Sequence, residues 1–253
     1  MKRFLLAISS LFITAMLVAA CGVSESTPDV PSTEVQAGEV PAGEVPAAGP
    51  TMSPPTEIPA ATDFYTEEFE GDISNYSTFE FHEKYLITET DPSLIPITKD
   101  GVLVFDLEKP QKYEYVIYEA YEYENTRLNL TAENRGENSS SVSLVCRYSD
   151  EGWYEANVQN DGLYSILAYV VSDGRYYTIF NGGSNLIKQG KDTNKYTFIC
   201  SGDDLTLEIN GIEVKIITDK KYHLPGGKVG FGVSSFDSLP ILVAVDSFEI
   251  SEP

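Results

Sequence analysis

The chain has 253 residues, 42% of them hydrophobic, and its 39 acidic side chains against 17 basic ones give a formal net charge of −22. That length holds one large β domain or two small ones, and that apolar content supports a buried core. An acidic balance without any Lys/Arg cluster excludes nucleic acid as a partner and fits a solvated, exposed protein.

The first segment reads as an address. Lys2 and Arg3 precede an apolar run from Phe4 to Val18, broken only by Ser9, Ser10 and Thr14. This is too short to span a bilayer comfortably and has the layout of a signal peptide over residues 1–20. Val18-Ala19-Ala20-Cys21 resembles the bacterial lipobox, in which small residues precede a cysteine that is acylated and becomes the new N-terminus. The resemblance implies lipidation of Cys21. Its acyl chains, at about 0.8 kcal/mol per buried methylene, would hold the chain to a cell membrane or an outer membrane without a spanning helix.

Residues 21–62 read as a disordered linker. They contain eight of the 14 prolines, six acids, no Lys or Arg and no aromatic residue. Such a stretch buries too little apolar surface to offset its ordering entropy. Ala37-Gly38-Glu39-Val40-Pro41 repeats once as Ala42-Gly43-Glu44-Val45-Pro46, a low-complexity repeat rather than a solenoid. A Pro-rich tether of this length reaches on the order of 100 Å at most.

Composition changes at Asp63, and all 16 tyrosines lie beyond it. The pattern over 63–253 predicts strands. Val142–Tyr148, Trp153–Gln159 and Tyr164–Val171 are separated by Asp150-Glu151-Gly152 and Asp161-Gly162, both turn-like. Leu205-Thr206-Leu207-Glu208-Ile209 alternates, as does Ile212-Glu213-Val214-Lys215-Ile216, and Asn210-Gly211 between them is a strong hairpin signal. Lys228–Ser234 and Leu242–Ile250 close the chain. No sustained helical period appears, so the expected fold is all-β: a two-sheet antiparallel sandwich.

Several of these segments are similar to one superfamily. They are Val145-Cys146-Arg147, Trp153-Tyr154-Glu155-Ala156, Asp161-Gly162-Leu163-Tyr164, Cys200 through Leu207 with Asn210-Gly211, Gly227-Lys228-Val229-Gly230-Phe231, and Val245 through Ile250. Together they resemble the concanavalin A-like lectin/glucanase jelly rolls, especially laminin-G-like and 3-keto-disaccharide-hydrolase-like domains of exported bacterial proteins. The resemblance covers most of 64–250 and implies a jelly-roll sandwich.

What the resemblance implies for chemistry is narrower. Laminarinase-type members carry Glu-x-Asp-x-Glu on one strand, which projects two glutamates to one face as nucleophile and acid/base. The nearest stretch is taken as Glu119-Ala120-Tyr121-Glu122-Tyr123-Glu124, where Glu122 and Glu124 would share a face but the central Asp is missing; no catalytic residue is assigned. A sugar-binding face would draw on Arg147, Trp153, Tyr154, Tyr164 and Tyr176, with Tyr169 and Tyr177 as further candidates. No cofactor is required, but a structural calcium between the first and last strands would use Glu70 and Asp246. His82 and His223 are isolated, which argues against a transition metal. Cys146 and Cys200 lie in expected strands, in a compartment that permits a bridge, and cysteines at similar places pair in some relatives. A disulfide and two buried thiols both remain open; a bridge would close about 55 residues and contribute roughly 4 kcal/mol in the chain-entropy model.

The sequence thus points to a surface-anchored, non-catalytic lipoprotein that meets the membrane through the lipid on Cys21. It would bind a glycan, a cell-wall polymer or another extracellular ligand. The alternatives are a glycoside hydrolase of the same fold and a structural envelope domain.

Overall fold

The computed structural model describes residues 63–82, 85–87 and 96–253; the expected signal peptide, Cys21 and the linker lie outside them. One sheet runs β14 (Ile212–Thr218), β13 (Asp204–Ile209), β12 (Thr193–Ser201), β7 (Thr126–Asn134), β16 (Ile241–Ser251), β5 (Val102–Leu107) and β4 (Ile97–Lys99), with the short β1 (Tyr65–Glu67) also paired to β16. The second runs β11 (Arg175–Gly183), β10 (Leu163–Val170), β9 (Gly152–Gln159), β8 (Ser140–Tyr148), β15 (Gly227–Ser235), β6 (Lys112–Tyr123), β2 (Tyr76–His82) and β3 (Tyr85–Ile87). Every pairing is antiparallel. The molecule is the two-sheet sandwich that the alternating runs predict.

Local chemistry explains the pairings. Asn210 and Gly211 have φ of 52° and 79°, the left-handed pair that a two-residue hairpin turn demands. Leu205, Leu207 and Ile209 are buried while the intervening Thr206 and Glu208 are half-exposed, so β13 has one wet and one dry face. The core between the sheets takes every second residue from both: Leu128, Leu130, Phe198, Val243 and Phe248 from the first sheet, Leu144, Tyr154, Ala156, Ile166 and Phe231 from the second. Cys146 on β8 and Cys200 on β12 form a disulfide across this core, which closes the question left open by the cysteine count.

The second sheet departs from simple alternation. From Ser140 to Arg147 on β8 and from Gly152 to Val158 on β9, every residue is buried. One face of these strands meets the other sheet. The opposite, outward face is covered by a separate apolar cluster of Phe79, Phe81, Tyr115, Ile117, Val145, Trp153 and Tyr169. Glycines on β15 make this possible. A Cβ at Gly232 would stand 2.7 Å from the Tyr115 ring, and one at Gly230 would stand 2.7 Å from Ile117, so the side chains of β6 lie flat over the neighbouring strand.

The disulfide ties two sheets through positions 54 residues apart. Replacing both cysteines by alanine is expected to lower the unfolding free energy by about 2–5 kcal/mol. Urea denaturation of the wild type with and without reductant checks this: identical midpoints would show that the bridge does not contribute.

Candidate functional site

The outward face of the second sheet carries a cleft of about 600 Å³. Its floor is built by β9. Trp153, Glu155, Asn157 and Gln159 share one side of that strand, because side chains alternate, while Tyr154, Ala156 and Val158 point to the core. Glu155, Asn157 and Gln159 all line the cleft, together with Tyr113 and Tyr115 from β6, Phe81 from β2, and Tyr169 and Tyr176 from β10 and β11.

Glu155 is only 1% exposed, and its partners come from four strands. Ser143 Oγ donates to it at 2.6 Å, Tyr176 OH at 2.9 Å, Tyr115 OH at 3.1 and 3.2 Å to its two oxygens, and Asn157 Nδ2 at 3.4 Å. Asn157 Nδ2 also donates to Ser141 and Ser143 at 2.9 Å each. Burial, and then the Glu155 charge, push the Tyr115 and Tyr176 hydroxyls well above the ordinary tyrosine value. Both therefore remain protonated donors to the carboxylate. Around them the rings interlock: Tyr169 and Tyr176 meet at 4.9 Å, Phe81 and Tyr169 at 5.5 Å, and Phe81 and Tyr176 at 6.0 Å between centroids.

The residues expected to form one binding face are divided between two. Tyr176 lines the cleft. Trp153 lies on the same face but beneath it, 2% exposed and stacked on Tyr169 at 4.2 Å; its indole Nε1 has no hydrogen-bond partner among the described residues. Tyr154 and Tyr164 belong to the inter-sheet core. Arg147 is likewise turned inward: its guanidinium donates to the backbone carbonyls of Glu124, Leu224 and Gly202 at 3.1, 3.1 and 2.6 Å. Tyr169 is a wall of the cleft, whereas Tyr177 pairs with Ala168 on the other side of β11.

Tyr154 and Arg147 have a structural task instead. Tyr154 OH donates to Asp219 and accepts from Leu224 N–H at 3.0 Å. Asp219 also accepts the backbone N–H groups of Lys221, Tyr222 and His223 at 2.9, 3.1 and 2.7 Å. The loop after β14 is thereby pinned to the end of the sandwich.

Glu119 is paired with Lys228 and accepts from Ser77. Glu122 is exposed on β6, and the strand ends at Tyr123, leaving Glu124 in the following turn. Glu124 is exposed like Glu122, with Tyr123 buried between them, and neither lines the cleft. Glu70 and Asp246 are both exposed, and among the described residues no group of three or more His, Cys, Asp or Glu side chains could hold a metal ion.

A second depression, of about 720 Å³, lies beside β4, β5 and Lys112. Lys112 is already paired with Glu114 and stands 3.3 Å from Glu80, outside hydrogen-bonding geometry for that Glu80 oxygen. The wall of this depression starts at Pro96, where the described chain resumes, and its buried charges are committed to one another. The aromatic cleft is the better candidate site.

No family model matches the chain, and a search of curated proteins finds no match. Solved structures share its fold. A Bacteroides ovatus mixed linkage glucan PUL GH16 protein in complex with G4G4G3G product matches with a TM-score of 0.57 at 10% identity, over 74% of this chain and 99% of that one. A Bacillus licheniformis β-glucanase gives 0.57 at 10% identity, over 77% and 100%. The exoplasmic/lumenal domain of VIP36, in its Ca²⁺/Man3GlcNAc-bound form, gives 0.53 at 9% identity, over 74% and 88%. The described domain therefore shares the two-sheet jelly-roll fold of these structures.

Burial raises the Asp219 carboxyl, but the hydrogen bonds from Tyr154, His223, Lys221 and Tyr222 outweigh it and hold the pKa below the ordinary value of 3.8. The stabilisation is complete above that value and is lost as pH falls through the lower native one. The urea midpoint of the wild type is expected to drop more between about pH 5 and pH 3 than that of Asp219→Asn. Equal drops would remove Asp219 from the acid limb.

Proposed function

We propose that this domain is a non-catalytic carbohydrate-recognition module, tethered outside a bacterial membrane through a lipid on Cys21. The observation that carries the reading is the cleft: tyrosine rings beside one carboxylate and a row of amides and hydroxyls. A sugar ring has an apolar face of C–H groups and a belt of hydroxyls that donate and accept. Aromatic faces suit the first, and fixed polar side chains orient the second. Gln159 and Tyr176, both half-exposed, stand where a bound ring would meet them. Similar folds solved with G4G4G3G and Man3GlcNAc support a glycan as the ligand class.

Hydrolysis asks for more than this cleft offers. Both glycosidase mechanisms use two carboxyl groups, about 5–5.5 Å apart for retention and about 6.5–9.5 Å for inversion. Glu155 is the single carboxylate among the described residues lining the cleft. Positions 157 and 159, which face the same way, carry Asn and Gln. A side-chain amide is neither a nucleophile for an anomeric carbon nor a proton-exchanging group at neutral pH. The tether and lipid would hold such a module close to a cell-wall polymer and raise its local concentration there.

Calorimetry of residues 22–253 against a panel of glucan and mannan oligosaccharides is expected to give saturable binding, weakened about tenfold or more by Tyr176→Ala, with no release of reducing ends. Reducing ends that disappear in Glu155→Gln would make the domain a hydrolase. Absence of binding across the panel would remove the carbohydrate reading.

The anchor is tested separately. Cells expressing the full chain and fed labelled palmitate are expected to label it, and Cys21→Ala should abolish the label and release the chain from the membrane fraction. An unlabelled wild type would leave the domain without its proposed anchor.

A further inference from the structure

The cleft specifies its ligand more closely than a neutral sugar requires. Glu155 is buried, and each of its partners is neutral: three hydroxyls and one amide. Among the described residues it forms no ion pair with Lys, Arg or His. Buried charges are ordinarily paired, and an uncompensated one gains most from an incoming opposite charge.

The one cation among the described residues along the cleft is drawn away. Arg175 lines its rim, but Arg175 Nε donates to Tyr177 OH at 2.8 Å and its guanidinium carbon lies 4.6 Å from the Tyr177 ring. Arg175 and Tyr177 alternate with Tyr176 along β11 and pair with Val170 and Ala168, so they share the opposite side of that strand. Electrostatics agree. Burial first, and the Glu155 charge second, raise the hydroxyls of Tyr113, Tyr115 and Tyr176, with no opposing contribution from a cation.

The hydroxyls complete the pattern. The Tyr115 and Tyr176 hydroxyls lie within 2.9–3.2 Å of Glu155 and 3.2 Å from each other; each has one proton, so an oxygen that gives it to Glu155 or to its neighbour keeps lone pairs with which to accept. An ammonium is donor-only, with three N–H groups. It is also attracted by aromatic faces, here those of Phe81, Tyr113 and Tyr169. The surplus of acids over the domain favours the approach of a cation.

We infer that the ligand carries a free ammonium: a hexosamine unit that is not N-acetylated, seated with its –NH₃⁺ against the Tyr115 and Tyr176 oxygens above Glu155. This rests on the carbohydrate reading and deepens it. N-acetylation removes the charge and adds bulk where the rings close in, so the acetylated sugar loses both attractions.

Calorimetry of residues 22–253 at low salt and mildly acidic pH, with the tetramer of glucosamine, the tetramer of N-acetylglucosamine and cellotetraose, tests it. The glucosamine tetramer is expected to bind about tenfold or more tighter than either neutral tetramer. In Glu155→Gln the ratio of affinities for the free and the acetylated tetramer should fall towards one. A ratio that persists in a folded Glu155→Gln would show general attraction to an acidic protein and overturn the inference. Should that variant not fold, the wild-type comparison decides: equal or weaker binding of the glucosamine tetramer, with a neutral tetramer bound, overturns the inference and leaves the carbohydrate reading standing. No binding of any tetramer, together with an empty glucan and mannan panel, overturns both.

Discussion

A carboxylate with almost no access to water, placed in the middle of a sheet and without an ion-pair partner among the described residues, constrains everything around it. Glu155 can be accommodated there only because β6, β8, β9 and β11 each contribute a donor. Those donors must arrive at fixed positions. Tyr115 reaches Glu155 by lying across β15, which carries glycine at 230 and 232 where any side chain would collide with β6. Ser143 reaches it directly, and Asn157, itself opposite Ser143 in the register of β8 and β9, donates to that hydroxyl in turn. The hydrogen bonds that satisfy the carboxylate therefore also fix the rings that wall the cleft.

Strand β9 serves two structures at once. Its outward residues build the cleft, and its inward residues fill the core and, through Tyr154, pin the loop that begins at Asp219. A slip of one residue in its pairing would exchange the two sets. It would bury Glu155 between the sheets and expose Ala156 and Val158. Two constraints oppose that slip. The Trp153–Tyr169 pair faces across β9 and β10 on the outside, and the Cys146–Cys200 bridge holds β8 to the other sheet on the inside. The site is positioned by regular strands, with register as its main determinant, rather than by loops.

Much of the architecture was legible in the sequence. The Asn210-Gly211 hairpin, the runs that became β8, β9, β10, β15 and β16, and the sandwich they imply all follow from period-two alternation and turn chemistry. The strands before Val142 were harder, because β6 reads Lys-Tyr-Glu-Tyr-Val-Ile-Tyr-Glu and is buried on both faces for much of its length. Alternation disappears where a strand has no wet side. The same cause hid the site. Aromatic content alone does not separate Tyr154 and Tyr164 from Trp153 and Tyr176, because it does not say which way a ring points. Strand parity does: 153, 155, 157 and 159 form one set. Glu155-x-Asn157-x-Gln159, polar at every second position amid apolar neighbours, is a readable signal of a polar row on one side, whereas acid content alone points to Glu119–Glu124.

That row also shows why fold and function separate here. The jelly-roll frame places three consecutive outward positions of one strand along the floor of a cleft whatever their chemistry. Three acids there would give a site able to attack and protonate; one acid and two amides give the polar floor on which the proposed carbohydrate recognition rests. The carboxylate that remains accepts five hydrogen bonds from four side chains. Its influence is exerted outward, through the tyrosine oxygens, as a fixed negative potential at the base of an aromatic cleft. A potential of that kind stabilises a bound positive charge at equilibrium, which is the physics of recognition; catalysis would require it to act more strongly on a transition state than on the ligand at rest.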